Sequence, residues 1–368
     1  MKRILFVTNK PSFYRVKFFN ELGKYVNLDV IFEIKEQKND KLRDKKWFDN
    51  NFENFNAIFL DKMLRFNENY YINLDLLKKV KLNQYDKIII GQYSTLNSMI
   101  LIMKMNKSRK KFILSTDGGF PKNENKLFYK IRSYFIKSAD KYLSNSEKAD
   151  EFLRFYGAKK EKIYRYHFTS YTKEELNENS EMYLQQKMRN DDNKTILCVS
   201  NFEKRKNIES LIDAWANVNK NENNILKIIG TGPLKNKYLE QINKLGIKSI
   251  EILDFVPQEQ LKKIYLEANC LVLNSIKDVW GLSISEAMSY GVPVISTKMC
   301  LAGTELITNG KNGYLIDVDQ KQLEKALEKV LNLTKEQEKQ IEINNIKKIN
   351  EYSIEQMVKD HLRVIDMN

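Results

Sequence analysis

Residues 278–293 read Asp-Val-Trp-Gly-Leu-Ser-Ile-Ser-Glu-Ala-Met-Ser-Tyr-Gly-Val-Pro. Asp278 and Glu286 are separated by seven residues. A Trp-Gly pair, Trp280-Gly281, opens an amphipathic stretch that Gly291 and Pro293 close, which predicts a short helix beginning near Gly281. A glycine at that point lets a ligand approach the backbone. The free N–H groups of a helix start favour an anion. Asp278 then stands just outside the helix and Glu286 about a turn and a half inside it. The layout suits a molecule with phosphates in the middle and hydroxyls on both sides. A surface helix with a solvated glutamate fits the same spacing.

Outward from this stretch, short apolar runs alternate with helical patterns. Strand-like runs are Ile4 to Val7, Leu28 to Phe32, Lys87 to Gly91 and Lys111 to Ser115 in the first half. In the second they are Thr195 to Ser200, Leu226 to Gly230, Glu251 to Phe255, Cys270 to Asn274 and Pro293 to Ser296. Helical patterns over 206–219, 233–245, 257–267 and 320–332 fall between the latter. Such alternation predicts parallel α/β sheets. Two of them in one chain give two Rossmann-like domains, with ligands at the carboxyl ends of the strands. If the domains face each other, a cleft lies between them. The polar stretch from Tyr171 to Lys194 marks the boundary, or else forms a solvated helix inside one domain. The expected domains are 1–172 and 173–350, followed by an amphipathic tail helix over 351–368.

The motif of the opening stretch resembles the signature of glycosyltransferase family 4, retaining enzymes of the GT-B fold. That pattern is an acid, seven residues, Glu-Ala-Met, then Gly-x-Pro-Val. Glu286-Ala287-Met288 and Gly291-Val292-Pro293-Val294 are similar to it, with Asp278 where the family usually has Glu. Ala302 to Ile307, Asn309-Gly310, Asn312 to Leu315, Val199 to Trp215 and Ile229 to Pro233 also resemble the family. The likeness is strong from about 194 to 330 and weak over the first 180 residues. The resemblance implies a nucleotide diphosphate sugar as donor substrate and no further cofactor. It also implies that the tail helix crosses back to the first domain, which meets the acceptor.

The resemblance places roles on particular residues. Glu286 matches the acid that holds the ribose hydroxyls, and Asp278 the acid near the donor sugar. Lys206 matches a phosphate-binding lysine, while Asn201 stands where the family has its phosphate-binding arginine. Arg205 is a candidate to compensate. The backbone amides of Trp280, Gly281 and Leu282 would cradle the β-phosphate or sugar, although Trp280 also reads as a core anchor. Gly230 and Gly232 lie in a strand-to-helix turn that the family sets beside the nucleotide, and a plain tight turn reads the same way. Phe255 and Val256 match the segment that holds the base, with core packing of Phe255 as the other reading. Asp117, Gly118 and Gly119 end a first-domain strand and are acceptor-side candidates or a simple turn. Asp317-Val318-Asp319 invites a metal reading, but loop solvation is preferred and no metal is expected. His167 and His361 form no base or ligand cluster, and the histidine that many family members carry in the first domain has no evident counterpart.

The chain has 368 residues and a net charge of +14, ample length for two cores. The excess is confined to one half: residues 1–180 carry 36 Lys and Arg against 22 Asp and Glu, and residues 181–368 carry 26 against 26. An anionic partner for the first half follows, unless the lysines only solubilise it. A membrane surface, a pyrophosphate-linked acceptor and nucleic acid all fit that charge. The Asp278–Glu286 layout argues against nucleic acid. Over 126–143, Lys126, Lys130, Lys137 and Lys141 fall within about 60° at about 100° per residue. Leu127, Phe128, Ile131, Tyr134, Phe135 and Tyr142 fill the other faces. This reads as a basic amphipathic helix on an anionic membrane, or as a surface helix packed on its sheet. No run approaches the roughly 20 apolar residues of a membrane span, and no signal peptide is visible. Cys198, Cys270 and Cys300 lack ligand spacing, which suits core residues in a reducing cytosol.

The sequence thus points to a cytoplasmic hexosyltransferase, peripheral at the inner face of the plasma membrane. Its expected partners are a nucleotide sugar, a glycan or polyprenyl-linked acceptor of surface polysaccharide, and anionic lipid, with no nucleic acid. A non-catalytic nucleotide-sugar- or anion-binding protein of the same fold is the alternative; a GT-B epimerase or phosphorylase is the rival among enzymes.

Overall fold

The computed structural model describes residues 1–34, 51–60, 63–65, 71–73, 75–121, 124–185 and 193–367. Part of the polar boundary stretch, residues 186–192, lies outside them. The chain forms two compact units, Met1–Tyr171 with Ser353–Asn368, and Thr172–Tyr352.

In the first unit the strands are β1 (Arg3–Thr8), β2 (Asn27–Phe32), β3 (Asn56–Phe59), β4 (Met63–Arg65), β5 (Tyr71–Asn73), β6 (Lys87–Ile90), β7 (Ile113–Thr116), β8 (Lys141–Ser144) and β9 (Ile163–Arg165). Among the described residues they make a parallel sheet of order β3-β2-β1-β6-β7-β8-β9 and an antiparallel hairpin β4-β5. A parallel sheet is covered on both faces, so its strands read as unbroken apolar runs. Ile4, Leu5 and Val7 of β1 and Ile88 to Ile90 of β6 are fully buried. Asn125, Thr95 and Ser146 cap the helices that follow them, each accepting a backbone N–H in the first turn.

The chain returns to this unit at its end. Ile354 N donates to Tyr171 O at 2.8 Å, and the helix Ile354–Asp366 packs against the helix Phe13–Gly23. His361 of this last helix lies between Phe18 and Tyr166, with ring centroids at 4.6 and 4.8 Å. Burial lowers it to about 4, so it is a neutral core residue. His167 pairs instead with Asp360 at 2.7 Å.

The predicted basic helix over 126–143 is shorter than the periodicity suggests. The helix is Lys126–Lys137, and the chain then turns into β8. Lys141 therefore leaves the lysine stripe: it sits on a strand and donates to Met367 O at 2.9 Å. Tyr142, also on β8, is 2% exposed. The lysine spacing continued past the helix end by coincidence, because a strand of four residues leaves little period of its own.

In the second unit the strands are β10 (Thr195–Val199), β11 (Ile225–Ile229), β12 (Ile250–Leu253), β13 (Cys270–Leu273), β14 (Val294–Thr297) and β15 (Gly313–Ile316). They form a parallel sheet of order β12-β11-β10-β13-β14-β15. Helices Ile208–Val218 and Gln320–Leu331 cover one face and bury Trp215 and Leu327 completely. The chain runs outward from β10 to β12, then reverses and adds β13 on the other side of β10. The reversal makes the β10–β13 junction the topological switch point, where open α/β sheets open a crevice at the strand ends.

Candidate functional site

The two loops at the switch point carry the residues singled out above. Beyond β10, Ser200 to Glu203 lead into a tight helical turn, Lys204–Lys206. Beyond β13, Asn274 to Gly281 lead into the helix Leu282–Ser289. A backbone bond from Ile276 N to Arg205 O, 2.8 Å, ties one loop to the other. Lys206 Nζ and Asp278 Oδ2 are paired at 2.5 Å, with side chains only 10% and 11% exposed. Arg205 Nη1 adds a second cation at 3.4 Å from Asp278, and its Nε bonds Glu203 at 2.7 Å. The resemblance implies phosphate for Lys206 and sugar for Asp278; in the structure the two side chains form an ion pair with each other.

The Asp278 backbone is fixed independently. Its N–H donates to Met299 O at 2.8 Å, and Ala302 N donates to Trp280 O at 3.0 Å. Trp280 is 5% exposed, and its indole N–H reaches Ser285 Oγ at 3.3 Å. Gly281 caps the helix at φ +97°, a left-handed conformation. A Cβ there would meet Cys300 Sγ and Leu273 Cδ2 at 2.7 Å each. The left-handed conformation and this close packing together call for the glycine. Burial first, and Asp278 second, push the Cys300 thiol up to about 12, so it is not nucleophilic at neutral pH.

Glu286 lies on the same helix and is partly buried. Burial pushes its carboxyl above the usual range, and a hydrogen bond from Tyr265, 2.8 Å to Oε2, offsets part of the rise. Tyr265 itself stacks on Tyr290 at 5.8 Å. Sequence reasoning missed Tyr265. It precedes β13 while Glu286 follows it, and no motif connects them.

The neighbouring strand ends complete this edge. The Gly230–Pro233 turn packs on the β10 loop, with Phe202 N donating to Thr231 O at 2.8 Å. A Cβ on Gly230 would sit 1.9 Å from Ser200 O, and one on Gly232 2.6 Å from Phe202 O. Both glycines are required by this close approach whatever they bind. Asn201 is partly buried in the same loop. Phe255 is 52% exposed and Val256 partly buried beyond β12, so Phe255 is not a core residue.

Other candidates fall elsewhere. Asp317 pairs with Lys298 at 2.9 Å, and Asp319 caps the helix Gln320–Leu331. Among the described residues no group of three or more metal-ligating side chains occurs. In the first unit Asp117 follows β7 and forms an ion pair with Arg15. Burial opposes the Arg15 charge, yet Asp117 raises the guanidinium above its ordinary value. Both line a small cavity with Thr8, Tyr166 and His361. Gly118 turns at φ +110°, and a Cβ on Gly119 would touch the Phe152 ring at 3.1 Å. Lys126, Lys130 and Lys137 are exposed on their helix. Among the described residues, no helix is long and apolar enough to cross a membrane.

Residues 179–348 match the family model of glycosyl transferases group 1. The second unit therefore carries a glycosyltransferase group 1 domain. A run of 126 residues is 30% identical to N-acetyl-alpha-D-glucosaminyl L-malate synthase of Bacillus anthracis, covering 34% of this chain and 32% of that protein. A run of 129 residues is 28% identical to the amylovoran biosynthesis glycosyltransferase AmsD of Erwinia amylovora, covering 35% of each. The chain thus spans about a third of the length of these curated relatives. Among solved structures, Anabaena HepE in complex with UDP and glucose is similar over 99% of both chains, with a TM-score of 0.69 and 15% identity. That likeness shows the fold, GT-B, with two parallel-sheet Rossmann-like domains as the alternating pattern predicts.

Proposed function

We propose that the protein transfers a hexosyl group from a nucleotide diphosphate sugar to a hydroxyl of a growing glycan, with retention at the anomeric carbon. The observation that carries this reading is the Lys206–Asp278 pair at the switch point, with Arg205 beside it and Glu286 one helix turn further on. Lys206 and Arg205 supply positive charge to the leaving diphosphate as the C1–oxygen bond breaks. Asp278 orients the sugar, and Glu286 accepts the ribose hydroxyls. The incoming hydroxyl attacks C1 from the side the diphosphate leaves, and its proton passes to the departing phosphate. No side-chain base is then needed in the second unit, and no resident cofactor or metal takes part. The likeness to AmsD, a protein named for amylovoran biosynthesis, supports a surface-polysaccharide acceptor. We place that acceptor on a lipid at the cytoplasmic face of the plasma membrane, because the net positive charge is confined to the first half. Asp117, Gly118 and Gly119 are its acceptor-side candidates.

The test is a titration of nucleotide diphosphate sugars against the parent and Lys206→Ala. One donor should bind and be turned over by the parent, with NMR showing the same anomeric configuration in donor and product. An inverted product would overturn retention, and donor binding without turnover would favour the non-catalytic alternative.

A further inference from the structure

We propose that the helix Lys126–Lys137 is an in-plane membrane anchor, whose apolar face enters an anionic lipid surface while its lysines contact the headgroups. The inference stands on the surface of the first unit and does not require the transfer reading. An amphipathic surface helix ordinarily turns its apolar side inward. This one does so only in part. Ser133, Phe135 and Ile136 are buried, and Arg132 turns in to Glu124 and Tyr93. Yet Leu127 is 64% exposed, Phe128 54%, Tyr134 52% and Ile131 37%.

The exposed residues are ordered on the cylinder. At about 100° per residue, Lys126, Lys130 and Lys137 fall within about 40° of one another, and Tyr134, Leu127 and Ile131 occupy roughly the next 100°. An apolar stripe thus runs along a basic one. The neighbouring helix Leu96–Lys107 extends both. Its Asn106 donates to Tyr134 and Ser138, and on the same side Met103 is 47% exposed beside an exposed Lys107. The Lys126–Lys137 segment contains no acidic residue.

Charge selects the occupant. A bilayer with acidic headgroups offers negative charge above an apolar layer, which matches adjoining basic and apolar stripes. A second copy of this chain would bring the same lysines against these and repel them. Tyrosine at the flank, with an apolar ring and a polar hydroxyl, suits the interface between the two layers.

The experiment uses the full-length protein with vesicles of neutral phosphatidylcholine, alone or with about a third phosphatidylserine. The Leu127→Ser/Ile131→Ser variant should partition at least tenfold less into the anionic vesicles. Lys126→Gln/Lys130→Gln/Lys137→Gln should lose the preference for anionic over neutral vesicles, while Lys141→Gln should bind as the parent does. Leu127→Trp should gain fluorescence that brominated lipid quenches. Unchanged thermal unfolding and donor binding in these variants separate loss of docking from loss of fold, and from failure of the transfer reading. Equal vesicle binding by parent and serine variant, no quenching at position 127, or no binding of the parent to either vesicle would overturn the proposal. Self-association of the parent that the serine variant abolishes, without lipid binding, would assign the face to a second copy instead.

Discussion

Replacing Lys206 by Met should destabilise the ligand-free second unit by about 2 kcal/mol, through the charge it strands. Methionine keeps the length and most of the apolar stem, so the loss is mainly the ammonium. Breaking a fully buried pair by removing one partner costs about 3–5 kcal/mol, whereas exposed pairs contribute about 0.2–1 kcal/mol. The Lys206 and Asp278 side chains are 10% and 11% exposed, close to the buried limit. Arg205 lies 3.4 Å from Asp278 but is 43% exposed, so it compensates only part of the stranded charge. For a unit spanning Thr172–Tyr352, 1 kcal/mol shifts Tm by about 2–4 °C, giving a fall of roughly 4–8 °C. Asp278→Asn in the Lys206→Met background should recover more than half of it, because no carboxylate is then left unpaired. The fluorescence of Trp215 and Trp280, 0% and 5% exposed in this unit, follows its unfolding. Additive effects of the two substitutions, or a Lys206→Met Tm within 1 °C of the parent by the same scale, would refute the coupling.

Glu286→Ala should abolish transfer while leaving the protein folded, which activity and circular dichroism together read. The raised Glu286 carboxyl also has a pH signature: its stabilising contribution is complete below the unfolded-state value and is lost as pH rises through the folded one. Comparison of Tm against pH should therefore show Glu286→Gln losing less stability than the parent as pH climbs from about 4. Gly230→Ala places a Cβ 1.9 Å from Ser200 O and should lower Tm sharply. Gly246→Ala meets nothing within 4 Å and should cost only the strain of its φ of +65°, about 1 kcal/mol. Asp319→Ala should cost about 0.5–2 kcal/mol as a lost helix cap, while activity of this variant, and of the parent in excess EDTA, stays near normal. Loss in EDTA restored by added metal would return the Asp317–Asp319 segment to a metal role.

Where the sequence was legible, the reason is periodicity. The nine apolar runs read as strands each overlap a sheet strand, with ends within two residues of it, because most of these strands are buried on both faces and carry little that is polar to mask the run. Helix Ile208–Val218 begins later than the pattern over 206–219 because Lys204–Lys206 form a tighter turn first. The edge strands β3 and β9 were not legible: they are four and three residues long and only partly buried. The site was legible as residue types but not as pairs. Asp278 and Lys206 are 72 positions apart, and only the reversal of strand order at β10 brings them together. Gly281 was read as room for a ligand, whereas Cys300 and Leu273 already fill the space its side chain would take. The apolar residues of the Lys126–Lys137 helix were visible, but which of them face outward depends on where neighbouring helices pack.

The central claim is that the second unit holds a nucleotide diphosphate sugar through the paired residues at its switch point. Calorimetric titration of the parent, Lys206→Ala and Glu286→Ala with the donor selected from a nucleotide-sugar panel tests it most directly. The parent should bind at micromolar or tighter affinity. Each variant should bind at least tenfold more weakly, a loss of about 1.4 kcal/mol or more. Equal affinity in all three proteins, or no binding of any nucleotide sugar to the parent, would contradict the account.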